Sequence, residues 1–192
     1  MHETLLAHIR KFTSLSTDEE KILLSYCRFR TVKKKEHLLH EGEICLANYF
    51  VLKGCMRMYV ITEKGAEQII QFAIDNWWMS DYNSFDRQTP SGFSIQAVEP
   101  AELAFLDKKS QDALFRAIPS LEAYFRVVYQ RAYAASLMRI QYIYCLSAEE
   151  RYRQFSSNFP EFVQRVPQYM IASYLGFTPE FLSKTRAKKG GG

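Results

Sequence analysis

The side chains best suited to binding chemistry lie near the end of the chain, in the stretch VPQYMIASYLGFTPEFLSKTRAKK. Between Arg165 and Lys189 there are five basic residues and one acid, a local net charge of +4 that equals the net charge of the whole chain. A basic end on a near-neutral body favours a polyanion as the partner of that end. Lysine and arginine side chains can neutralise phosphates and can donate hydrogen bonds to base edges.

Two short helices must position these side chains. Gly176 permits the left-handed residue that ends the first helix. Thr178 is suited to cap the second helix, whose first residue is Pro179, and Phe181 and Leu182 are expected to anchor it. Two helices joined by so short a turn predict a helix-turn-helix. Its expected DNA contacts are Thr178, Pro179, Glu180, Ser183, Lys184, Arg186, Lys188 and Lys189, of which the two last suit phosphates. A plain helical hairpin with a solvated basic face is the alternative.

The middle of the chain, about 31–107, has a different period. Hydrophobic residues make up 47% of the sequence and aromatic residues 15%, which is enough for a packed core. Short β-branched and aromatic runs alternate with Gly and Pro in this region, as expected for an antiparallel sandwich or roll. The runs are NYFVLKG, CMRMYVIT, AEQIIQFAI, GFSIQAV and AELAFLD, and the turn EKG predicts a hairpin. Residues 1–30 have a helical pattern.

Residues 108–146 form one long helical pattern, which Pro119 is expected to interrupt. Steps of alternately four and three from Leu114 to Leu146 fall on apolar or aromatic residues, with Arg139 as the exception, and this is the spacing of a coiled-coil seam. This spacing favours a homodimer whose interface contains Leu121, Phe125, Val128, Ala132 and Ala135. The alternative is that the same face of the helix packs on its own sheet. A new helix is predicted after the capping box that begins at Ser147.

This order of elements resembles the Crp/Fnr transcriptional regulators, from about Val32 through Lys189. The motif IASYLGFTPEFLSKTR is the most specific part and is most similar to members from the Bacteroidetes. The resemblance implies an α+β fold: an N-terminal antiparallel β-roll (a cyclic-nucleotide-binding-like jelly roll) with flanking helices, a long dimerisation helix and a C-terminal helix-turn-helix domain of the winged-helix-like type. It implies a sensor domain over 1–146, including the dimerisation helix at about 108–146, and a DNA-binding domain over 147–192.

The same resemblance implies a cytoplasmic bacterial regulator that binds a near-palindromic operator as a homodimer. Matched at LGFTPEFLSK, the base-reading positions of the family fall on Pro179, Glu180 and Lys184. Glu180 keeps the acid of the family, whereas Lys184 and Pro179 stand where arginines are usual. We therefore expect a different DNA site from that of members with both arginines. A sensor roll whose C-terminal helices bind a protein partner is the alternative function.

Cyclic-nucleotide-binding members of this family hold the phosphate with a Gly-Glu…Arg-Ser cassette. Aligned at IQAVEPAELAFL, those positions fall on Ser80-Asp81 and Ser91-Gly92, so the phosphate-binding arginine is absent. Cyclic AMP is therefore not the expected effector. The aromatic residues nearby could line a site for an uncharged ligand, or could simply fill the roll. The candidate effector pocket comprises Trp78, Ser80, Asp81, Tyr82, Phe85, Ser91 and Gly92.

Other kinds of site have little support. None of the four cysteines forms a Cys-x-x-Cys pair, and His37 and His40 would project from opposite faces of a strand, so we expect no metal and no cofactor. The sequence contains no Ser/His/Asp order, phosphate-binding Gly-rich loop or paired catalytic carboxylates, and we expect no enzymatic activity. Its apolar runs are too short to span a membrane, and its N-terminus has no signal-peptide pattern, which predicts a soluble protein with no membrane partner.

Overall fold

The contacts of the chain divide it into two compact units. The computed structural model describes residues 1–189, with side chains up to Lys184. The first unit comprises Met1–Val60 and Gln71–Arg131, and the second comprises Ile61–Ile70 and Ala132–Gly192. This division differs from the predicted boundary after residue 146, because it falls inside the long helix and assigns ten residues of the roll to the second unit.

The helices of the first unit follow their sequence signals. Ser16 caps the second helix, and its capping box with Glu19 is complete. The predicted break near Pro119 is confirmed, since one helix ends at Ala117 and the next begins at Ser120. The helices are α1 (His2–Ile9), α2 (Thr17–Tyr26), α3 (Tyr82–Arg87), α4 (Lys108–Ala117) and α5 (Ser120–Cys145), the last of which continues into the second unit.

The predicted antiparallel roll is confirmed. Its strands are β1 (Arg28–Val32), β2 (His37–Leu39), β3 (Ala47–Lys53), β4 (Cys55–Ile61), β5 (Glu67–Ile74), β6 (Trp78–Met79), β7 (Ser94–Ala97) and β8 (Ala101–Asp107). One sheet has the order β1-β8-β3-β6 and the other β2-β7-β4-β5. The EKG segment forms the predicted turn between β4 and β5, where Gly65 has a φ of 74°.

Alternate residues of β3 contribute to two different cores. Val51 faces the interior between the sheets, where it meets Met56 and Ile95. Phe50 faces the other way, into a helical core that also contains Trp78, Leu114, Leu121, Tyr124 and Phe125. The period-two geometry of a strand therefore lets one strand serve both cores.

The predicted dimer seam on α5 is wrong for its first half. Leu121 and Phe125 are buried in the helical core of their own unit, and Val128 packs against that core. Ala132 is half-buried and Ala135 is exposed. A four-three spacing marks one buried face of a helix, but it does not say whether a sheet or a second chain covers that face.

The second unit contains the end of α5, the turn between β4 and β5, and the C-terminal helices. The capping box predicted at Ser147 is complete, with Glu150 as its acid. Pro160 starts a further short helix after α6. The helices are α6 (Ala148–Asn158), α7 (Pro160–Arg165), α8 (Gln168–Leu175) and α9 (Pro179–Lys189). Across residues 1–189, every helix is too short or too polar to cross a membrane.

Candidate nucleic-acid interface and roll interior

The turn between α8 and α9 has the geometry that its sequence predicts. Gly176 ends α8 in the left-handed region, with a φ of 79°. Its N–H donates to the carbonyl of Ser173 at 3.3 Å, and the N–H of Phe177 donates to the carbonyl of Ala172 at 3.1 Å. The Thr178 hydroxyl accepts from the N–H of Phe181 at 3.3 Å, so Thr178 caps α9 as expected. These bonds fix the path of the chain from one helix into the other.

Helix α9 has a buried residue on one face and two exposed residues on the opposite face. Leu182 is 1% exposed and holds the helix in its unit. Glu180 and Lys184 are exposed and four residues apart, so they lie side by side on the face opposite Leu182. Exposed Pro179 and Ser183 extend that face. The backbone of α9 continues to Lys189, whereas the side chains of Arg186, Lys188 and Lys189 lie outside the described residues.

The carboxylate of Glu180 is held in its charged form. Hydrogen bonds from its own backbone N–H and from the Thr178 hydroxyl lower the pKa of Glu180 below its usual range. A charged carboxylate is an acceptor for a cytosine amino group, while Lys184 is a donor suited to guanine. This pair of side chains can therefore distinguish base pairs in a major groove.

Phe181 was assigned wrongly to the anchors of α9. Its side chain is 36% exposed, and its ring lies 5.4 Å from that of Phe177. It flanks the exposed face of α9 and is accessible to an apolar group such as a thymine methyl. Sequence reasoning missed this residue because an aromatic side chain beside a buried leucine usually belongs to the core.

In the roll, the polar candidate effector residues are engaged in internal hydrogen bonds: Asp81 and Ser91 bond to each other, and Ser80 bonds elsewhere. Asp81 caps α3 by accepting from the N–H groups of Asn83 and Ser84, and its second oxygen accepts from the Ser91 hydroxyl at 2.7 Å. Ser80 donates to the carbonyl of Ala47 at 3.1 Å. Asp81, Ser80 and Ser91 are all buried. The acceptors of Asp81 are thus occupied by donors from its own loop.

The aromatic members of the candidate pocket lie in different places. Trp78 is part of the helical core, whereas Phe85 is buried between the sheets. The Tyr82 ring meets Tyr129 of α5 edge-on at 5.0 Å, and burial raises its pKa. Gly92 is exposed. These rings are therefore not gathered around one space, which agrees with the alternative that they fill the fold.

His37 and His40 were expected on opposite faces of a strand, and this was wrong. His37 begins β2, which ends at Leu39, so His40 lies beyond the strand, and the two imidazole rings stack with centroids 4.2 Å apart. The hydroxyl of Tyr59 lies 2.9 Å from Nε2 of His37. Within the described residues there is no group of three or more His, Cys, Asp or Glu side chains that could hold a metal ion.

Comparison with known proteins identifies the roll. Residues 29–117 match the cyclic nucleotide-binding domain family. The cAMP-activated global transcriptional regulator CRP of Pasteurella multocida is 26% identical over 98 residues, which cover 51% of this chain and 47% of that protein. The CRP of Salmonella typhimurium is 22% identical over 98 residues, with the same coverage of both chains. The match thus spans about half the length of these curated relatives.

Solved structures resemble the chain over most of its length. FixK2 from Bradyrhizobium japonicum has a TM-score of 0.71 at 16% identity, and the match covers 85% of this chain and 84% of FixK2. The c-di-GMP responsive global regulator CLP of Xanthomonas campestris has a TM-score of 0.73 at 13% identity, with 91% of this chain and 92% of that chain covered. At these identities the likeness shows a shared fold.

Proposed function

We propose that this chain is a regulator of the Crp/Fnr type, and that it binds a near-palindromic DNA operator as a homodimer and reads it with α9. The observation that carries the proposal is the exposed face of α9, where Glu180 and Lys184 lie side by side opposite buried Leu182. An acceptor and a donor on one helix face suit direct readout in a major groove. A DNA partner would place the protein in the cytoplasm.

The dimer forms through a face of α5 other than the predicted one. Exposed apolar side chains recur at steps of four, three and four in the part of α5 that belongs to the second unit. They are Tyr133 (66% exposed), Leu137 (47%), Ile140 (51%) and Tyr144 (84%). This is the spacing with which one helix packs against a second copy of itself. Two reading helices related by the dimer axis would meet successive major grooves about 34 Å apart.

The effector, if the roll binds one, is not a cyclic nucleotide. Ser91 stands where a phosphate-binding arginine is expected, and its hydroxyl donates to Asp81. A cyclic nucleotide entering here would bring its anionic phosphate to a buried carboxylate without a cation to pair with it, which is unfavourable. The regulator therefore responds to a signal other than a cyclic nucleotide.

Selection from a randomised DNA library tests the proposed function. Purified protein should enrich a motif with two related half-sites, because a symmetric dimer presents two copies of α9. Lys184→Ala should lower affinity for that motif by on the order of 1–3 kcal/mol and relax the preference at one base pair per half-site. A wild-type protein that enriches no motif, or a Lys184→Ala variant with an unchanged motif, would show that α9 is not the reading helix. Binding to a protein partner is the competing outcome.

A further inference from the structure

Strand β5 is joined to helix α8 by side-chain hydrogen bonds. The Ser173 hydroxyl donates to the carbonyl of Glu67 at 2.9 Å and accepts from the N–H of Ile69 at 2.9 Å. The amide of Gln68 donates to the carbonyl of Ser173. Residues 67 and 69 present their backbone groups on the same side of the strand, so a single hydroxyl on α8 can serve both. These contacts all lie within the second unit.

Arg139 of α5 binds both partners of this contact. Its guanidinium donates to the carbonyls of Ile70 at 2.7 Å and Ile69 at 3.1 Å, and to the carbonyl of Tyr174 at 2.9 Å. It also lies over the Tyr174 ring, 4.4 Å from the centroid. In the described part of the chain no carboxylate pairs with Arg139, and its Nε has no partner. The planar guanidinium therefore acts as a bridge between backbone carbonyls, which a lysine cannot reproduce.

On α8, the carbonyls that accept these hydrogen bonds lie at the C-terminal end of the helix. The last four carbonyls of a helix have no partner within it, and a positive charge is favourable there. Gln68 and Arg139 donate to two of them, on Ser173 and Tyr174. The turn that leads into α9 starts two residues later, at Gly176, whose N–H also donates to the carbonyl of Ser173. The junction between β5 and α8 is thus adjacent to the turn that orients α9.

We propose that Ser173 and Arg139 are positioning residues for DNA recognition, because they fasten the end of α8 to β5 and α5 and so fix the direction in which α9 leaves the turn. We call residues 67–70, Ser173, Tyr174 and Arg139 the β5–α8 junction. The inference rests on the proposed function, since α9 must read DNA for its direction to matter. Neither side chain needs to touch DNA.

Hydrogen exchange tests the junction without DNA. Ser173→Ala removes the acceptor of the Ile69 N–H, so a peptide covering 67–70 should exchange about tenfold faster than in the wild type. Ser173→Thr keeps a hydroxyl and should exchange like the wild type. Ser25→Ala is the matched control, because the Ser25 hydroxyl donates to a carbonyl of its own helix, at Ile22. Unchanged exchange in Ser173→Ala would overturn the junction.

DNA binding tests the positioning role. Ser173→Ala and Arg139→Lys should each weaken binding to the motif that the wild-type protein selects by about tenfold, because part of the binding free energy must then orient α9. The preferred bases, the salt dependence and binding to unrelated DNA should stay the same, since no contact to DNA is removed. Ser173→Thr should restore affinity, and Arg116→Lys, at an exposed arginine of α4, should have no effect.

The two proposals fail in different ways. A wild-type protein that selects no motif overturns the proposed function and the positioning role with it, while the exchange data still report on the junction. Faster exchange at 67–70 together with unchanged affinity for the selected motif overturns the positioning role alone. A changed base preference in Ser173→Ala would also contradict it, because a positioning residue does not read bases.

Discussion

Trp78 donates a hydrogen bond of 2.7 Å from its indole Nε1–H to the hydroxyl oxygen of Tyr124, deep in the helical core of the first unit. The Tyr124 hydroxyl also lies 2.9 Å from Nδ1 of His8. Since the oxygen accepts from Trp78, its own proton is free to bind the imidazole nitrogen. A strand, the long helix and the N-terminal helix are therefore linked by a series of hydrogen bonds inside an apolar core.

Trp78→Phe should destabilise the protein by about 1–3 kcal/mol or more. The change leaves the buried Tyr124 oxygen without its indole donor and also removes packing volume. Trp77→Phe is the matched control, because Trp77 is 43% exposed and such a surface change should stay within about 0.5 kcal/mol. Urea unfolding measures both variants, and equal stability of the two would contradict a role for the indole.

The protein should become less stable as the pH is lowered, because of His8. Burial, and then the charges of Lys11 and Arg131, lower its pKa from 6.5 to about 4. Between these values the unfolded chain binds a proton at His8 and the folded protein does not, so its contribution to stability is complete above about pH 6.5 and is lost as the pH falls towards 4. The uptake of one proton limits the slope of the unfolding free energy to about 1.4 kcal/mol per pH unit, and the partial exposure of His8 makes the slope smaller.

The measurement for His8 is the free energy of unfolding at several pH values between 7.5 and 4.5, taken about one unit apart. His8→Gln should flatten the profile in this window relative to the wild type, because it removes the titrating group. His2→Gln, at an exposed histidine of the same helix, should keep the wild-type profile. Identical slopes for the wild type and His8→Gln would contradict the assignment.

Charge on the exposed stripe of α5 should break the dimer without unfolding the protein. Leu137→Glu with Ile140→Glu would bring like charges together at a dimer axis, which costs several kcal/mol when they are buried and unpaired. Sedimentation velocity should then show a folded monomer. Ile22→Glu, at an exposed apolar residue of α2, should leave the dimer intact.

Phe125→Glu distinguishes between the two faces of α5 that could form the dimer interface. Because Phe125 is 2% exposed in the core of its own unit, a charge there should unfold the first unit rather than dissociate a folded dimer. A folded monomer from Phe125→Glu would mean that the interface lies on the seam that contains Phe125, and a persistent dimer from the stripe variant would mean that the stripe is not the interface.

Cyclic AMP and cyclic GMP should not bind at about 100 μM, a concentration that would detect any site stronger than about 5.5 kcal/mol. The physical reason is that Asp81 already accepts from Asn83, Ser84 and Ser91, and no arginine occupies the Ser91 position. Isothermal titration calorimetry checks this. Micromolar affinity for either nucleotide would show that the loop rearranges and that another base supplies the positive charge.

Local signals in the sequence predicted the local structure well. Gly176 and Thr178 determine the turn before α9 because their effects reach only a few residues, and the capping box at Ser147 is equally local. The runs predicted from their period and their turns form β3, β4, β5, β7 and β8, whereas β1, β2 and β6 were not among them, and β1 begins at Arg28 inside the stretch that was given a helical pattern. Even the wrong placement of His37 and His40 was local: the error lay in the point at which β2 ends.

Contacts between distant residues could not be predicted in this way. Nothing near Ser173 indicates that its hydroxyl binds β5 more than a hundred residues earlier. Likewise, the spacing around Phe125 describes a buried face without naming what covers it. The candidate effector pocket shows the same limit, because Trp78 and Phe85 are close in sequence yet belong to cores on opposite sides of β3.

Strand β5 lies at the edge of its sheet. Free N–H and C=O groups on such an edge can pair with a strand from another molecule, and apolar β-rich segments such as IIQFAI promote this in aggregates. Ser173 occupies the outward backbone groups of Glu67 and Ile69 with one hydroxyl. The helix before the reading helix therefore also covers the start of this edge, and displacement of α8 would leave the outward backbone groups of Glu67 and Ile69 available to a strand from another molecule.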